Sequence, residues 1–407
     1  MSHQELVVDA SEVLLVRGPT SVSSASADAH VLGMKMYGRE VFVRKGKVLP
    51  FECFTKATFV AHLGRGGEAK VCHEALGTRI WSSVRNAIEM HVPRSIMLFG
   101  GNDTGKSTLA TYVANVLLQD GKKVWMVDGD LGQGDLSPPT CMGATVIRSP
   151  VSDLRDLKAD RIVFVGVISP SSFQDLVING LKELACASPG VPELHVIVNT
   201  DGFVEGNGVE YKLRLATAIR PDMLVTLGSR EEDLHKRLLA TYGPEKVILA
   251  ERPKGITKDY YERAERRMLQ YWRFLEDTKK IRIHLQGTVM SFAGISYYGP
   301  TYIHPSRVIK KGQKGWSLVF ERSSLGTVVV ERSSRKVRFP WNRMQGLFVG
   351  VGAGQALSGF GIIDEMRPDG SFVLRTPVRR GPDSIYLSTV RLIEGLKRES
   401  VLKVLEA

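Results

Sequence analysis

The segment Gly100–Thr108, which reads GGNDTGKST, constrains the fold more than any other part of this 407-residue chain. It fits the pattern G-x-x-x-x-G-K-[ST], in which the backbone N–H groups of a glycine-rich loop surround phosphate oxygens. A short apolar run, SIMLFG, precedes the loop, and the helical pattern LATYVANVLLQDG follows it. The sequence therefore predicts a strand, a phosphate loop and a helix whose N-terminus favours anions.

Two side chains of this loop have predicted roles of their own. Lys106 can reach the β- and γ-phosphates of a nucleotide, and Ser107 can ligate Mg²⁺. A structural glycine-rich turn is the alternative, but the strand before the loop and the helix after it favour phosphate binding. The predicted nucleotide-binding residues are Gly100, Gly101, Asn102, Asp103, Thr104, Gly105, Lys106, Ser107 and Thr108.

A second motif, DGDLGQGD from Asp128 to Asp135, ends the next apolar run. Ligands of open α/β sheets bind at the carboxyl ends of strands. A carboxylate there can hold Mg²⁺ or take a proton from a nucleophile. Because alternate residues of a strand point to opposite faces, Asp128 and Asp130 need not share a role. The alternative is a strand-to-turn signal, since Asp and Gly are common in turns.

The order of strand and helix patterns predicts the fold class and the domains. Between residues 79 and 280 apolar strands alternate with helices, which indicates an α/β domain with a mostly parallel sheet covered on both faces. Short strand patterns with Gly, Pro and Ser breaks occupy residues 1–78 and 281–407. We therefore expect a central phosphate-loop domain at 79–280 between two small β domains.

The composition excludes several other classes of protein. Hydrophobic residues form 43% of the chain and charged residues 24%, which is the balance of a soluble globular protein. No apolar run is long enough to span a membrane, and the N-terminus does not resemble a secretory signal. The four cysteines lack a C-x-x-C pair, so a thiolate zinc site is not expected. We expect an intracellular protein, cytoplasmic or, in a eukaryote, nuclear.

The charge of the chain indicates a polyanionic partner. Its formal net charge is +12, and residues 301–345 contain ten Lys or Arg against two Glu. Trp316 and Trp341 lie within this stretch, and basic residues interleaved with aromatic ones suit a nucleic-acid surface. An acidic membrane surface and a generally basic surface without a specific partner are the alternatives.

These motifs together resemble the polynucleotide 5′-hydroxyl kinases. This is the RNA kinase family that includes a subunit of the eukaryotic mRNA 3′-end cleavage machinery and the archaeal RNA kinases. Its second motif, D/E-x-D-x-G-Q, is matched by Asp128, Asp130, Gly132 and Gln133. Further similar segments are Phe164-Val165-Gly166 with Ser169-Pro170, Asn199-Thr200-Asp201-Gly202-Phe203, and the C-terminal strand patterns.

The resemblance implies a phosphate-loop kinase that uses ATP and Mg²⁺ to phosphorylate the 5′-hydroxyl of RNA, with DNA as a further possible acceptor. Single-stranded 5′-hydroxyl ends are the implied substrate, and RNA processing is the implied context. Ser107 and Asp128 would hold Mg²⁺. Asp130 would orient or deprotonate the 5′-hydroxyl and would also be a metal ligand.

The resemblance also assigns residues to the RNA. Gln133, Thr200 and Phe203 would face the terminal nucleotides, and the N-terminal domain would abut the base of ATP. In the segment from Asn199 to Phe203 the family has Trp where this chain has Phe203, and can have Pro where it has Asp201. Phe still offers a π-face for stacking, with less area. A buried Phe that closes a strand is the alternative.

An arginine-rich helix is predicted from about 257 to 276. Its apolar stripe has spacings of four, four, three and four residues, which fit one helical face. Arg263 and Arg267 lie one turn apart beside this stripe, and Arg266 lies farther round. The resemblance implies a lid helix whose arginines, Arg263 and Arg267, offset charge on the γ-phosphate. A solvated basic face paired with glutamates is the alternative. The stripe consists of Tyr260, Ala264, Met268, Tyr271 and Leu275.

Two other functions remain open at this point. The first is a scaffold subunit of an RNA-processing complex that holds ATP without turnover, although Lys106, Asp130 and the arginines argue for catalysis. The second is another phosphate-loop ATPase or a kinase of a small metabolite, although the flanking β domains and the basic stretch favour a polymer. A GTPase is not expected, because no N-K-x-D follows an apolar strand.

Overall fold

The computed structural model divides into two compact units. The first contains residues 1–130, 143–161 and 181–262, and the second contains 131–142, 162–180 and 263–407. The predicted division into three domains at 78 and 280 stays a prediction. The structure describes the chain except residues 1, 73–76, 188–190, 192, 231, 254–259, 285–287, 293–294, 299–307, 312–315, 322–326, 333–334, 341–343, 354–355, 368, 370, 394–397, 403–404 and 407.

Strands predominate in the described part of the chain. The helices are α1 Ser82–His91, α2 Lys106–Gln119, α3 Gln174–Cys186, α4 Gly208–Ile219, α5 Asp233–Tyr242 and α6 Tyr260–Phe274. The strands are β1 Ser2–Val8, β2 Val13–Arg17, β3 Thr20–Ser23, β4 His30–Val31, β5 Met34–Lys35, β6 Glu40–Val43, β7 Val48–Glu52, β8 Ala57–Leu63, β9 Glu68–Cys72, β10 Ser95–Phe99, β11 Lys123–Gly129, β12 Cys141–Ile147, β13 Arg161–Phe164, β14 Leu194–Thr200, β15 Met223–Leu227, β16 Val247–Ala250, β17 Lys279–His284, β18 Val289–Phe292, β19 Ile295–Tyr298, β20 Val308–Lys311, β21 Trp316–Glu321, β22 Thr327–Arg332, β23 Arg335–Pro340, β24 Leu347–Ala353, β25 Ala356–Met366, β26 Ser371–Thr376, β27 Ser384–Ile393, β28 Arg398–Val401 and β29 Leu405–Glu406.

A mostly parallel sheet forms the centre of the first unit. Within this unit the strands follow the order β12-β11-β14-β10-β15-β16. Neighbouring strands in this order are parallel, except for β12 and β11. Residues 96–99 of β10 and 124–129 of β11 are buried, as expected for strands covered on both faces. The predicted α/β fold class is therefore confirmed.

The sequence does not predict strand β12, which pairs antiparallel with β11. Its seven residues are all buried, and Val124 to Asp128 of β11 pair with Ile147 to Gly143 of β12 in reverse direction. The run follows two prolines and contains Gly143, so its apolar pattern is weak. Pairing with β11, rather than local propensity, accounts for this strand.

The N-terminal part of the first unit consists of two antiparallel sheets, β1-β8-β3-β6 and β5-β4-β7-β2-β9. Phe51 of β7 and Phe59 of β8 pack edge to face between them at 6.2 Å. The buried Asn115 of α2 connects the helix to this part, because its amide donates to the Leu32 carbonyl at 2.8 Å. The same amide also donates to the Val151 carbonyl at 2.8 Å. The predicted N-terminal β structure is confirmed.

The second unit contains two further β-sheets. One follows the order β17-β26-β25-β24-β27-β18-β19 with β28 beside β27, and the other is β20-β21-β22-β23-β29. The apolar stripe of α6 supplies Met268, Tyr271 and Leu275 to a core that includes Phe348 and Phe360. The side chains of the basic stretch 301–345 lie outside the described residues, apart from Met344 and Gln345 at its end.

Candidate active site

The phosphate loop connects β10 to α2 as the sequence predicts. The helix begins at Lys106, three residues before its apolar pattern starts, because the end of the loop forms its first turn. Gly105 precedes it with φ +96°, a left-handed conformation that a residue with a Cβ rarely adopts. The hydroxyl of Thr104 donates to the Gly101 carbonyl at 3.0 Å, which fixes the loop internally.

Lys106 is buried beside the loop. Its ammonium donates to the carbonyls of Gly100 at 2.9 Å and Gly101 at 2.6 Å. Burial is the main cause that lowers the pKa of Lys106 from 10.5 to about 8; Asp130 opposes this shift, and the nearby Lys212 contributes to it. Because phosphate groups carry negative charge, they would stabilise the protonated lysine.

Asn199, at the carboxyl end of β14, connects two of the predicted magnesium ligands, Ser107 and Asp128. Its amide nitrogen lies 3.2 Å from Ser107 Oγ and 3.0 Å from Asp128 Oδ1, and donates to both. Asn199 and Asp128 are each 1% exposed, so this arrangement is buried. Parallel pairing places Asp128 directly beside Asn199 in the sheet, which explains why these side chains meet.

These oxygens fit a magnesium ion by their chemistry. Mg²⁺ is a hard cation that binds oxygen ligands, and Ser107, Asp128 and Asn199 all offer them. Asn199 Oδ1 is buried and has no hydrogen-bond partner among the described residues, which is costly for a carbonyl oxygen unless something else satisfies it. Among the described residues, this site included, no group of three His, Cys, Asp or Glu could hold a metal ion, so the ligand set proposed here includes Ser and Asn oxygens.

Asp130 follows β11 and lies just beyond this buried set. Its backbone N–H donates to Asp128 Oδ1 at 3.4 Å, and its side chain is partly exposed. Its charge acts on both Lys106 and Lys212, which places it near the loop. A partly exposed carboxylate beside a buried one is consistent with different roles for Asp128 and Asp130.

The segment after β14 packs against the phosphate loop. A Cβ on Gly202 would overlap the Asn102 side chain, and a Cβ on Gly101 would lie 3.6 Å from Val204. Phe203 is partly exposed, with its ring centroid 6.2 Å from that of Tyr211. Phe203 is therefore held close to the loop with part of its surface accessible.

Thr200 differs from Phe203 in its surroundings. It is fully buried, and its hydroxyl donates to the Leu98 carbonyl of β10 at 2.8 Å. This bond accounts for Thr200 as a link between neighbouring strands at the site. A direct contact of Thr200 with a nucleotide stays a prediction.

The remaining predicted site residues belong to the second unit. Gln133 Nε2 donates to the Arg263 carbonyl at 3.3 Å, so the loop after Asp130 contacts α6. Arg267 Nε donates to Glu399 Oε1 at 2.6 Å. Arg266, which the sequence places farther round the helix, donates to the buried Asp135 at 2.7 Å. The lid role of Arg263 and Arg267 stays a prediction.

A cavity of about 480 Å³ lies in the first unit between the N-terminal sheets, α1 and α2. Glu52, Phe54, Arg79, Tyr112 and Val116 are among its lining residues. Tyr112 follows Thr108 of the phosphate loop by one helical turn, so the two lie on the same face of α2. The cavity thus begins one turn beyond the loop.

Sequence reasoning missed three features of this site. Asn199 could have been assigned, because it ends an apolar strand where polar ligands of such sheets lie. Lys212 gave no signal, since a lysine within an amphipathic helix usually faces solvent. The cavity depends on elements far apart in the chain, so no local pattern indicates it.

Comparison with known proteins places these motifs in one family. Residues 100–277 match the family model described as the mRNA cleavage and polyadenylation factor CLP1 P-loop. The chain contains a CLP1 P-loop domain. The family predicted from the motifs is thereby confirmed, and the matched range includes the loop, the Asp128 motif, Asn199 and α6.

Several relatives of this chain are named as kinases. A polyribonucleotide 5′-hydroxyl-kinase of Thermococcus kodakarensis is 28% identical over 74% of this chain and 89% of its own. A polyribonucleotide 5′-hydroxyl-kinase of Pyrococcus horikoshii is 31% identical over 49% of this chain and 54% of its own. A protein CLP1 homolog of Nematostella vectensis is 30% identical over 39% of each chain.

The solved structure of the wild-type Clp1p–Pcf11p complex shares the fold. Its matched chain covers 96% of this chain and 98% of its own with a TM-score of 0.69, at 12% identity. In the described part of the chain, no helix is both long and apolar enough to cross a membrane.

Proposed function

We propose that this protein is an ATP-dependent polynucleotide 5′-hydroxyl kinase that transfers the γ-phosphate of ATP to RNA. One observation carries the proposal: Lys106, Ser107, Asp128 and Asn199 meet at the carboxyl end of the sheet, with Asp130 beside them. A phosphate-binding lysine and a second carboxylate are the groups that phosphoryl transfer to a hydroxyl requires. The names of the archaeal relatives support the same activity.

Different residues of this chain bind the phosphate donor, ATP, and the acceptor, the 5′-hydroxyl of RNA. The loop backbone and the Lys106 ammonium bind the phosphates of ATP, and Ser107, Asp128 and Asn199 would hold Mg²⁺. Bound Mg²⁺ would neutralise charge on the phosphates. Asp130 orients the 5′-hydroxyl and accepts its proton as the hydroxyl oxygen bonds to the γ-phosphorus and the bond to ADP breaks.

We place the nucleoside of ATP in the cavity beside α2. Its volume lies within the range of small-molecule pockets, and its lining combines the aromatic rings of Phe54 and Tyr112 with polar side chains, which suits a nucleoside. Val116, two turns beyond Thr108, is a lining residue that can be enlarged. Val116→Phe should therefore raise the KM for ATP while the KM for RNA stays unchanged. An unchanged KM for ATP in a folded variant would place the nucleoside elsewhere.

The RNA contacts are proposed on the same basis. Phe203 offers a partly exposed ring beside the loop, on which a terminal base can stack. Gln133 and Thr200 would contact the terminal nucleotides, and Arg263 and Arg267 would approach the γ-phosphate. Single-stranded RNA ends are the favoured substrate, and we place the protein inside the cell, where ATP and RNA are available.

The deciding experiment is a transfer assay. Purified protein is incubated with γ-labelled ATP, Mg²⁺ and a 5′-hydroxyl oligoribonucleotide, beside matched DNA and duplex RNA. Label should appear on the RNA with wild-type protein and not with Lys106→Ala. A 5′-phosphorylated oligoribonucleotide controls for transfer to other positions.

Other outcomes would contradict the proposal. ATP binding without transfer or hydrolysis would support a scaffold instead. Hydrolysis that ignores RNA, or transfer to a small metabolite alone, would indicate a different phosphate-loop enzyme.

A further inference from the structure

Lys212 of α4 is a buried lysine that the proposed reaction does not use. Its side chain is fully buried, and its ammonium donates to Asp201 Oδ1 at 2.9 Å and to the Asp201 carbonyl at 2.7 Å. Burial lowers the pKa of Lys212, while Asp201 acts in the opposite direction. A buried ammonium is costly unless it is paired and hydrogen-bonded, so these two bonds account for its place.

Asp201 uses its carboxylate for more than this ion pair. Oδ1 also accepts the backbone N–H of Phe203 at 2.9 Å, which closes a local turn, and Oδ2 accepts the hydroxyl of Tyr211 at 2.8 Å. Tyr211 is fully buried, and its ring lies against Phe203. These four hydrogen bonds therefore fix the backbone at Asp201 and the orientation of the Phe203 backbone N–H.

This arrangement continues into the phosphate loop. Gly202 lies between Asp201 and Phe203, and its α-carbon faces Asn102 so closely that a Cβ there would overlap it. A shift of residue 201 would thus move Phe203 relative to the loop. Since α4 holds Asp201 through Tyr211 and Lys212, the helix sets this distance.

We propose that Asp201, Tyr211 and Lys212 are positioning residues that hold Phe203 where it stacks on the terminal nucleotide of the RNA. The inference rests on the proposed function. It predicts that loss of the turn at Asp201 weakens RNA recognition and leaves ATP recognition unchanged, because the phosphate loop keeps its own bonds.

The test compares two variants that differ in one group. In a Lys212→Met background, Asp201→Asn keeps an oxygen that can accept from the Phe203 N–H and gains an amide N–H that can donate to the Tyr211 hydroxyl, whereas Asp201→Ala removes both groups. Both variants are neutral at these positions, and replacing a buried ion pair by uncharged groups is often tolerated. Kinetics are measured as KM for RNA, KM for ATP and kcat, with melting temperature beside them. Fluorescence anisotropy gives the affinity for a labelled 5′-hydroxyl oligoribonucleotide without turnover.

The alanine variant should show a KM for RNA and a dissociation constant at least about fivefold above those of the asparagine variant. Its KM for ATP should agree with that variant within about twofold. Phe203→Ala in the wild-type background should raise the KM for RNA by a similar factor. Equal RNA affinity in the two variants, or an effect on ATP alone, would overturn the inference.

If the Lys212→Met protein folds poorly, two further variants in the wild-type protein still test the proposal. Tyr211→Phe removes a single oxygen and should raise the KM for RNA by a smaller factor. Glu210→Gln, in the exposed pair of α4 with Arg237, should change nothing. Unchanged RNA affinity in folded Tyr211→Phe overturns the role of Tyr211. If wild-type protein transfers no phosphate, the proposed function fails, and anisotropy still decides the role of Asp201.

Discussion

At the residue scale, Lys106 is the side chain on which the proposed activity depends most. Lys106→Ala should reduce phosphate transfer by at least about 10²-fold, since it removes a preorganised positive charge from the transition state. The melting temperature should not fall, because burial already disfavours the Lys106 ammonium, as its lowered pKa indicates. The measurements are initial rates with γ-labelled ATP and thermal melts of both proteins. Near-wild-type turnover in Lys106→Ala would exclude the proposed mechanism.

Asp130 and Asp128 should respond differently to the same change. Asp130→Asn should lower kcat by about 10²–10⁴-fold at saturating ATP, RNA and Mg²⁺, because it removes a proton acceptor used in the transition state. Asp128→Asn should instead raise the Mg²⁺ concentration needed for half-maximal rate, since Asp128 is buried against Ser107 and Asn199. Rates over a Mg²⁺ titration separate the two. The reverse result would exchange the two roles.

The residues of the site differ in how far the sequence reveals them. The loop and the Asp128 motif are contiguous, so their spacing alone predicts that they bind phosphate and metal. Asn199 bonds to Ser107 and Asp128, which lie 92 and 71 positions away, and only strand pairing brings them together. Lys212 is chemically conspicuous only once its burial is known.

At the scale of elements, helix α6 combines a structural face with the proposed lid face. Arg267 is nearly buried and paired with Glu399 inside the second unit, and Arg266 is paired with Asp135 in the same unit. The sequence predicts the apolar stripe of α6 correctly, because its period is local. The partners of the arginines lie more than 100 positions away, so the pattern could not assign them.

The arginines of α6 should therefore separate in their effects. Arg263→Ala should lower kcat, by up to about 10³-fold if its charge stabilises the transferring phosphoryl group, without lowering the melting temperature. Arg267→Ala should destabilise the protein by about 3–5 kcal/mol, because it leaves Glu399 buried without its arginine. Denaturant unfolding and kcat are measured for both. An unchanged kcat in folded Arg267→Ala would remove Arg267 from the lid and leave it with the structural role alone.

At the scale of the whole molecule, the chain order of patterns predicts the β, α/β and β succession. It does not predict that residues 131–142 and 162–180 pack with the C-terminal residues in the second unit. The first of these segments ends with the first two residues of β12, a strand whose sequence pattern is weak. Contacts between segments so far apart in sequence produce no local periodicity, so the sequence pattern cannot predict them.

The net charge of +12 leads to a prediction about the whole molecule and its salt dependence. RNA binding should weaken steeply with salt, because each phosphate that a lysine or arginine contacts releases counterions. If Lys310, Lys311 and Lys314 contact the RNA, replacing all three by Gln should reduce the slope of log K against log salt by about 2. The measurement is anisotropy of a 5′-hydroxyl oligoribonucleotide over a KCl series.

Replacing Lys122, Lys123 and Lys182, which are exposed, by Gln makes the same change in net charge and is the matched control. Equal slopes for the two triple variants would mean that the net charge alone attracts RNA, and that the basic stretch is no RNA-binding surface.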